Sequence, residues 1–302
     1  MEPHQLYDQL HQQLAESWQN LPDKPDETPE STLIVLWRLA AGQFRSENGA
    51  NAASLPPLEG DAADRLVSLI ERRLAGEPLA YLTGRQVFMG IEFLASPGAM
   101  IPRKETEILG RVAVDLAGRL VSERGPIRVL DLCTGSGNLA LVIASHEASC
   151  QVIGVDLAPE AVELAQANAV RLGLSERVHF YQGDLFSPFD NRQSIERFDL
   201  IVCNPPYISS ARVDQLPAEI RNHEPRLALD GGPFGIRMIA RLIEETPRFL
   251  KPASWVCFEV GAGQGTSTGR MLMKLPVYSQ VGSFPDETGE IRVLSAKTHS
   301  GD

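Results

Sequence analysis

A chain of 302 residues with 43% hydrophobic side chains is long enough to bury the core of one large domain and a smaller one. Its 39 acidic and 28 basic residues give a formal net charge of −11, the wrong sign for holding a phosphate backbone, so direct nucleic-acid binding is not expected. The four cysteines lack the spacing of a zinc site or a disulfide framework; we expect reduced thiols, no metal and a cytoplasmic protein without a membrane span.

The first 85 residues show helical periodicity and are interpreted as a small helical domain. Apolar side chains recur three and four positions apart in two stretches: Leu33, Leu36, Trp37 and Ala40, then Leu66, Leu69, Ile70 and Leu74. A short hairpin over 86–95 and a helix from about Lys104 to Glu123 follow. Residues 86–125 are therefore predicted to be a hairpin and linker.

Residues 126–302 alternate apolar strands with helices, which predicts an α/β domain whose parallel sheet is covered on both faces. Five strands are predicted, at 127–133, 151–157, 178–184, 198–204 and 255–261. A helix is expected at about 234–250. The segments 277–284 and 291–296 are expected to pair as a final hairpin.

A glycine turn follows the first of these strands. Asp131 lies at the end of the strand, and Thr134, Gly135 and Gly137 precede a helix. Glycines let the backbone approach a ligand closely, and parallel sheets bind ligands at the carboxyl ends of their strands. Asp156, about 20 residues further on, can accept hydrogen bonds from both hydroxyls of a ribose. These features alone fit any ribose-bearing cofactor.

The acids at the strand ends narrow the choice of cofactor. Asp184 follows the third strand where an acidic side chain can meet an adenine amino group, with a helix N-cap or turn role as the alternative. Leu157 and Leu185, which follow Asp156 and Asp184, are further candidate cofactor-binding residues. A pocket lined by Asp131, Asp156 and Asp184 suits a positively charged sulfonium better than a pyrophosphate. The pattern favours S-adenosylmethionine.

The fourth strand runs directly into Asn204, Pro205, Pro206 and Tyr207. Consecutive prolines fix the backbone and remove two amide donors, which leaves the local carbonyl oxygens as acceptors. The Asn204 side-chain oxygen and the Pro205 carbonyl can accept both protons of a planar NH₂ group while Tyr207 stacks on its face. The alternative is a rigid turn that closes a buried strand. We predict a catalytic loop that acts through positioning and electrostatics.

These motifs resemble those of the HemK-type protein-(glutamine-N5) methyltransferases over about residues 70–265. The matching segments are Gly76–Gly84, Ile101–Glu107, Asp131–Gly137, Asn204–Tyr207 and Glu224–Gly232. The resemblance implies a class I S-adenosylmethionine-dependent methyltransferase domain with a Rossmann-like seven-stranded sheet. It also implies that the small helical N-terminal domain recognises a protein substrate.

The resemblance also implies roles for single residues. Asn204 would lie next to both cofactor and substrate. The implied substrate-binding residues are Asn204, Pro205, Pro206, Tyr207 and Arg103. Phe88 and the segment Pro102–Thr106 would lie near the cofactor and the glutamine entrance. For Arg103 the alternative is a structural ion pair with Glu105 or Glu107.

Members of this family modify a glutamine in the GGQ loop of peptide chain release factors or, in a sister group, of a large-subunit ribosomal protein. Glu224–Gly232 and Thr83–Gly84 are closer to the first group, whereas Cys133 and Ala80–Thr83 are closer to the second. Ser31–Arg38 departs from the release-factor pattern. We expect a release factor as the substrate. The alternatives are the ribosomal protein, an exocyclic amine of nucleic acid, a non-catalytic cofactor-binding protein and, least favoured, a dehydrogenase.

Overall fold

Helices form the N-terminal part of the computed structural model, which describes residues 3–18, 24, 26–43, 55–189 and 197–300. Their bounds are α1 (Pro3–Glu16), α2 (Pro29–Ala40), α3 (Ala62–Leu74) and α4 (Leu79–Thr83). Thr28 caps α2, because its hydroxyl accepts a hydrogen bond from the Ser31 amide at 3.0 Å. The predicted apolar positions Leu33, Leu36 and Leu66 are fully buried in a cluster shared by these helices. The exact domain boundaries at 85 and 125 stay a prediction.

The predicted hairpin and linker helix are both present. Strands β1 (Arg85–Phe88) and β2 (Ile91–Leu94) pair in antiparallel register, and α5 (Glu107–Arg124) follows. The hairpin is attached to the rest of the molecule by Asn168, whose side-chain oxygen accepts a hydrogen bond from the Leu94 amide at 2.7 Å.

A seven-stranded sheet forms the centre of the remaining chain. Its strands are β3 (Ile127–Leu132), β4 (Cys150–Asp156), β5 (Val178–Gln182), β6 (Phe198–Cys203), β7 (Leu250–Glu259), β8 (Tyr278–Pro285) and β9 (Ile291–Thr298). Their order across the sheet is β5-β4-β3-β6-β7-β9-β8. The first five named in that order are parallel, and β9 and β8 form the predicted antiparallel hairpin at one edge. The predicted fold class is confirmed.

Helices cover both faces of this sheet. They are α6 (Asn138–His146), α7 (Pro159–Arg171), α8 (Ser210–Val213), α9 (Ala218–His223), α10 (Arg237–Glu245) and α11 (Gly265–Met273). The neighbours Val129 and Leu130 belong to separate apolar clusters, because successive side chains of a strand point to opposite faces. The predicted helix at 234–250 is shorter than expected: α10 gives way to a 3₁₀ turn at Thr246–Arg248, where Pro247 lacks the amide that a continuing α-helix uses.

Strand order reverses at β3. The chain passes from β3 to β4 and β5 on one side, then returns to place β6 on the other side of β3. In open α/β sheets such a reversal leaves a crevice at the carboxyl ends of the two strands that flank it. The glycine turn after β3 and the Asn-Pro-Pro-Tyr loop after β6 therefore lie at the same crevice.

Ion pairs connect the N-terminal helices to this domain. Glu219 on α9 is buried and accepts hydrogen bonds from Lys24 and from Arg73 of α3, the latter at 2.7 Å. The Tyr81 hydroxyl of α4 donates to the Ala99 carbonyl at 3.0 Å. None of the helices within the described ranges combines the length and apolar character of a membrane span.

Candidate active site

A cavity of about 400 Å³ lies at the carboxyl ends of β3, β4, β5 and β6. This volume is in the range of small-molecule sites. Ten of the residues predicted from the sequence line it: Pro102, Thr106, Thr134, Gly135, Asp156, Leu157, Asp184, Leu185, Asn204 and Pro206. The fold therefore brings the predicted cofactor residues and the start of the catalytic loop to one place.

The two walls nearest β3 and β4 are joined through Asp156. Its carboxylate oxygens accept hydrogen bonds from the Gly135 amide at 2.8 Å and the Ala158 amide at 3.0 Å. Gly135 has φ +55°, a left-handed conformation that glycine adopts without strain. Burial raises the pKa of Asp156, against the lowering effect of these backbone donors. Each oxygen retains a further lone pair for a ligand hydroxyl.

Asp131 lies behind the glycine turn and is not part of the cavity lining. It is fully buried, accepts a hydrogen bond from the Thr134 hydroxyl at 2.6 Å, and accepts another from the Ala140 amide at 3.1 Å. Burial raises the pKa of Asp131 to about 7. Gly137 is the N-cap of α6, with φ +80°, and also stands outside the lining. Asp131 and Gly137 thus support the glycine turn on the side away from the cavity, and their contact with a cofactor stays a prediction.

Asp184 reaches the cavity as one half of an ion pair. The Arg241 guanidinium donates to both of its carboxylate oxygens, at 2.9 and 3.0 Å. The Asp184 backbone amide donates to the Ser187 hydroxyl at 2.8 Å, so Asp184 also takes part in a turn, and its contact with an adenine stays a prediction. The arginine offsets the negative charge, so the charge argument for a sulfonium rests mainly on Asp156.

The Asn204 side chain has a defined orientation at the catalytic end of the cavity. Its amide nitrogen donates to the Thr106 hydroxyl oxygen at 3.2 Å. Among the described residues, none hydrogen-bonds to Asn204 Oδ1. This oxygen is available to accept a proton from an NH₂ group in the cavity, as the sequence predicts.

Tyr207 and Pro205 are placed behind this wall rather than in the lining. The Tyr207 hydroxyl donates to Glu259 Oε1 at 2.8 Å, and burial together with Glu259 raises its pKa well above the ordinary value. The Tyr207 carbonyl accepts a hydrogen bond from Gln264 Nε2 at 3.0 Å. Gln264 also donates to the Gly235 carbonyl at 3.3 Å and accepts from the Gly261 amide at 2.9 Å. Stacking of Tyr207 on a substrate stays a prediction.

The comparisons with known proteins agree with this geometry. A family model for a methyltransferase domain matches residues 124–259. The release factor glutamine methyltransferase of Moorella thermoacetica is 37% identical over 95% of this chain and 98% of its own length. That of Geobacter sulfurreducens is 37% identical over 80% of this chain and 81% of its own length. This chain belongs to the release factor glutamine methyltransferase family.

Membership of the release factor glutamine methyltransferase family confirms the resemblance found in the motifs and the predicted enzyme class. The solved structure of human methyltransferase 10 domain containing protein has a TM-score of 0.50 and 15% identity, covering 70% of this chain and 90% of that one. At that identity the likeness shows the shared fold alone. No cluster of His, Cys, Asp and Glu able to hold a metal ion occurs among residues that the structure describes.

One prediction about a residue outside the central motifs needs correction. Arg103 forms a buried ion pair with Glu224, and the predicted alternative pairing with Glu105 or Glu107 is wrong. Arg103 pairs with Glu224 because the backbone next to it is also bound there: the Ile101 amide donates to the Glu224 carboxylate at 3.2 Å. Arg103 does not reach the cavity lining, and its substrate-binding role stays a prediction.

Phe88 lies in the apolar core against Phe93, with ring centroids 6.4 Å apart, and is not part of the cavity wall. Its predicted place near the cofactor stays a prediction. Met100, Pro102 and Thr106 do line the cavity. Thr106 belongs to the segment singled out by the resemblance, whereas nothing in the local sequence distinguishes Met100.

Glu259 and Gln264 are site residues that sequence reasoning missed. Both follow or end β7 and contact Tyr207, one through its hydroxyl and the other through its carbonyl. The sequence did contain a signal for Glu259: it is an acidic residue at the end of the otherwise apolar strand WVCFE. A carboxylate buried at such a position requires hydrogen-bond donors around it.

Proposed function

We propose that this protein methylates the side-chain amide nitrogen, N5, of the glutamine in the GGQ loop of a peptide chain release factor, with S-adenosylmethionine as the methyl donor. The observation that carries the proposal is the orientation of Asn204, whose Oδ1 is available at the cavity while Nδ2 is held by Thr106. The relatives are named release factor glutamine methyltransferases, and from a release factor substrate we infer a cytoplasmic reaction.

The cavity residues fit S-adenosylmethionine. Asp156 offers a carboxylate for the ribose, and Gly135 leaves open space above the turn, since a Cβ placed there meets nothing within 4 Å. Leu157 and Leu185 line the cavity and would give an apolar flank for an adenine, and Asp184 in the same lining would lie beside it. When bound, S-adenosylmethionine supplies an electrophilic methyl group on its sulfonium.

The protein's own contribution is to hold the glutamine amide. Asn204 Oδ1 would accept one of its N–H protons, and the carbonyl of Pro205, a residue outside the cavity lining, is the proposed acceptor of the other. The two bonds would turn the nitrogen lone pair toward the methyl group. The nitrogen would accept this methyl group, with a new N–C bond in place of the S–C bond, and the amide would then lose one proton to solvent. Because an amide nitrogen is a weak nucleophile, fixed acceptors that stabilise its developing positive charge lower the barrier.

The test is transfer of labelled methyl to purified release factor, ribosomal protein and duplex DNA, each in a separate reaction. We expect label on a release factor glutamine, and a loss of about 100-fold or more in turnover for Asn204→Ala. Asn222→Ala, an exposed asparagine on α9, is the matched control and should retain wild-type turnover. Label on the ribosomal protein or DNA alone, or unchanged turnover in Asn204→Ala, would contradict the proposal.

A further inference from the structure

Two segments of the chain form the cavity wall next to the catalytic loop. The first wall segment is residues 101–106, and the second wall segment is residues 224–231. Both contribute to the cavity lining: Pro102 and Thr106 come from the first, and Pro225, Leu227, Ala228 and Asp230 come from the second. Because four of these six are apolar, the wall suits the two methylene groups of a glutamine side chain.

Both wall segments are attached to the catalytic loop. The Thr106 hydroxyl of the first accepts a hydrogen bond from Asn204 Nδ2 at 3.2 Å. In the second, the Gly231 amide donates to the carbonyl of Ile208, the residue that follows the Asn-Pro-Pro-Tyr sequence, at 2.8 Å. A Cβ at Gly231 would lie 2.5 Å from the Pro206 carbonyl oxygen, so this segment packs directly against the loop. A glutamine amide bound at Asn204 Oδ1 therefore lies next to both wall segments.

The carboxylate of Glu224 joins the two wall segments to each other. Its Oε2 accepts a hydrogen bond from the Ile101 amide at 3.2 Å, and its Oε1 accepts one from the Arg103 guanidinium. The Glu224 side chain is fully buried, and that of Arg103 is 9% exposed. A carboxylate has an acceptor oxygen for each of these donors, so it binds both at once. The two wall segments and the catalytic loop are thus linked pairwise.

We propose that Glu224 is a positioning residue for the glutamine substrate, because its carboxylate fixes the distance between the two wall segments beside the reacting amide. When these segments are joined before the substrate arrives, the binding-competent form of the site is already populated, and affinity is not lost to ordering it. Arg103 acts through Glu224, without a contact of its own to the substrate. This inference rests on the proposed function.

The variant that tests this role is Glu224→Gln, which preserves the shape of the side chain and removes its charge. Its one carbonyl oxygen replaces two acceptor oxygens, so either the Ile101 amide or Arg103 faces an NH₂ group that is itself a donor. The competent form of the wall is then only partly populated. We expect the KM for release factor to rise about 10-fold, while kcat at saturating release factor stays within about threefold of wild type.

The separation of KM from kcat distinguishes positioning from an effect on folding. A variant with a smaller folded fraction loses kcat in proportion and keeps its KM. Asp214→Asn is the matched control, since it also removes an ion pair to the second wall segment, made with Arg226, but both partners of that pair are more than half exposed. It should keep the wild-type KM and kcat. A wild-type KM in Glu224→Gln, with or without a loss of kcat, would overturn the proposal.

Variants of Arg103 give a second test on the other side of the ion pair. Arg103→Lys keeps the positive charge without the planar fork, and we expect it to raise the KM by about threefold. Arg103→Gln should raise the KM about 10-fold, and adding Glu224→Gln to it should raise the KM by less than about a further twofold, because both break one contact. Increases that multiply would show that Arg103 acts on the substrate independently of Glu224, which would overturn the proposal.

Hydrogen exchange of the protein without substrate tests the junction itself. The Ile101 amide is bonded to a buried carboxylate, so the peptide that covers the first wall segment should exchange slowly in wild type and in Asp214→Asn, and faster in Glu224→Gln. Equal exchange in wild type and Glu224→Gln would overturn the proposal, even if the enzyme methylates release factor. Faster exchange in Glu224→Gln, with no methylation of release factor by wild type, would instead refute the proposed function and leave the junction in place.

Discussion

The contact between Glu219 and the N-terminal helices gives a quantitative prediction. Glu219 of α9 is about one-tenth exposed and binds both Lys24 and Arg73. Replacing it with glutamine leaves one carbonyl acceptor for two cations, so one charge-assisted hydrogen bond is lost. Such bonds contribute about 1.5–3 kcal/mol, and we expect Glu219→Gln to lower the free energy of unfolding by about 2 kcal/mol and the melting temperature by about 4 °C.

The effect of Glu219→Gln should depend on pH. Burial raises the pKa of Glu219, but Lys24 and Arg73 outweigh burial and bring it below its ordinary value. A carboxyl whose pKa is lowered by folding contributes stability above its unfolded pKa of about 4.3 and loses it as the pH falls through the folded value. The difference between wild type and variant should therefore be largest at pH 7 and shrink toward pH 3.5.

Thermal melts of wild type, Glu219→Gln and the exposed control Glu244→Gln across that pH range provide the measurement. The control should follow wild type throughout. Equal melting temperatures of wild type and Glu219→Gln at neutral pH, or a gap that stays constant down to pH 3.5, would refute the assignment of this stability to the Glu219 charge.

Two further predictions concern residues that lie behind the cavity lining. Because burial raises the pKa of Asp131 to about 7, its neutral form stabilises the fold fully below the unfolded pKa of about 3.9, and that stability is lost as the pH rises toward 7. Asp131→Asn should flatten the decline in unfolding free energy over this window, and an unchanged slope in denaturant titrations would contradict it. Gly235 has φ +70° and its Cβ would lie 2.2 Å from the Tyr207 carbonyl oxygen. Gly235→Ala should lower turnover about 100-fold, whereas Gly263→Ala, with φ +81° and open space, should not; equal turnover in both would count against it.

The strands of this fold are predictable from the sequence because they carry continuous apolar runs bounded by acids, glycines and prolines. The predicted strand at 127–133 is observed as Ile127–Leu132, and that at 198–204 as Phe198–Cys203. Motifs at the ends of parallel strands meet at one edge of the sheet, which is why Asp156 and Asn204 could be placed at one cavity from sequence alone.

Pairings between distant polar residues could not be predicted in this way. Arg103 and Glu224 are 121 positions apart, and the local spacing suggested acids four positions or fewer from the arginine. Glu259 has the local pattern of the end of an apolar strand, and its partner Tyr207 comes from a segment 52 positions away. Periodicity reports which side chains are buried, but the partner of a buried charge is decided by the tertiary arrangement.

The three hydrogen bonds of Gln264 bear on which parts of this enzyme can vary in sequence without altering the active site. The Gln264 side chain is hydrogen-bonded to Tyr207 in the catalytic loop, to Gly235 before α10 and to Gly261 after β7. These three bonds restrict the motion of the three segments relative to one another. The catalytic loop is thereby held in one position relative to the sheet. Phe234, which is exposed and does not line the cavity, has no such connecting role, and we expect substitutions there to leave the cavity walls in place.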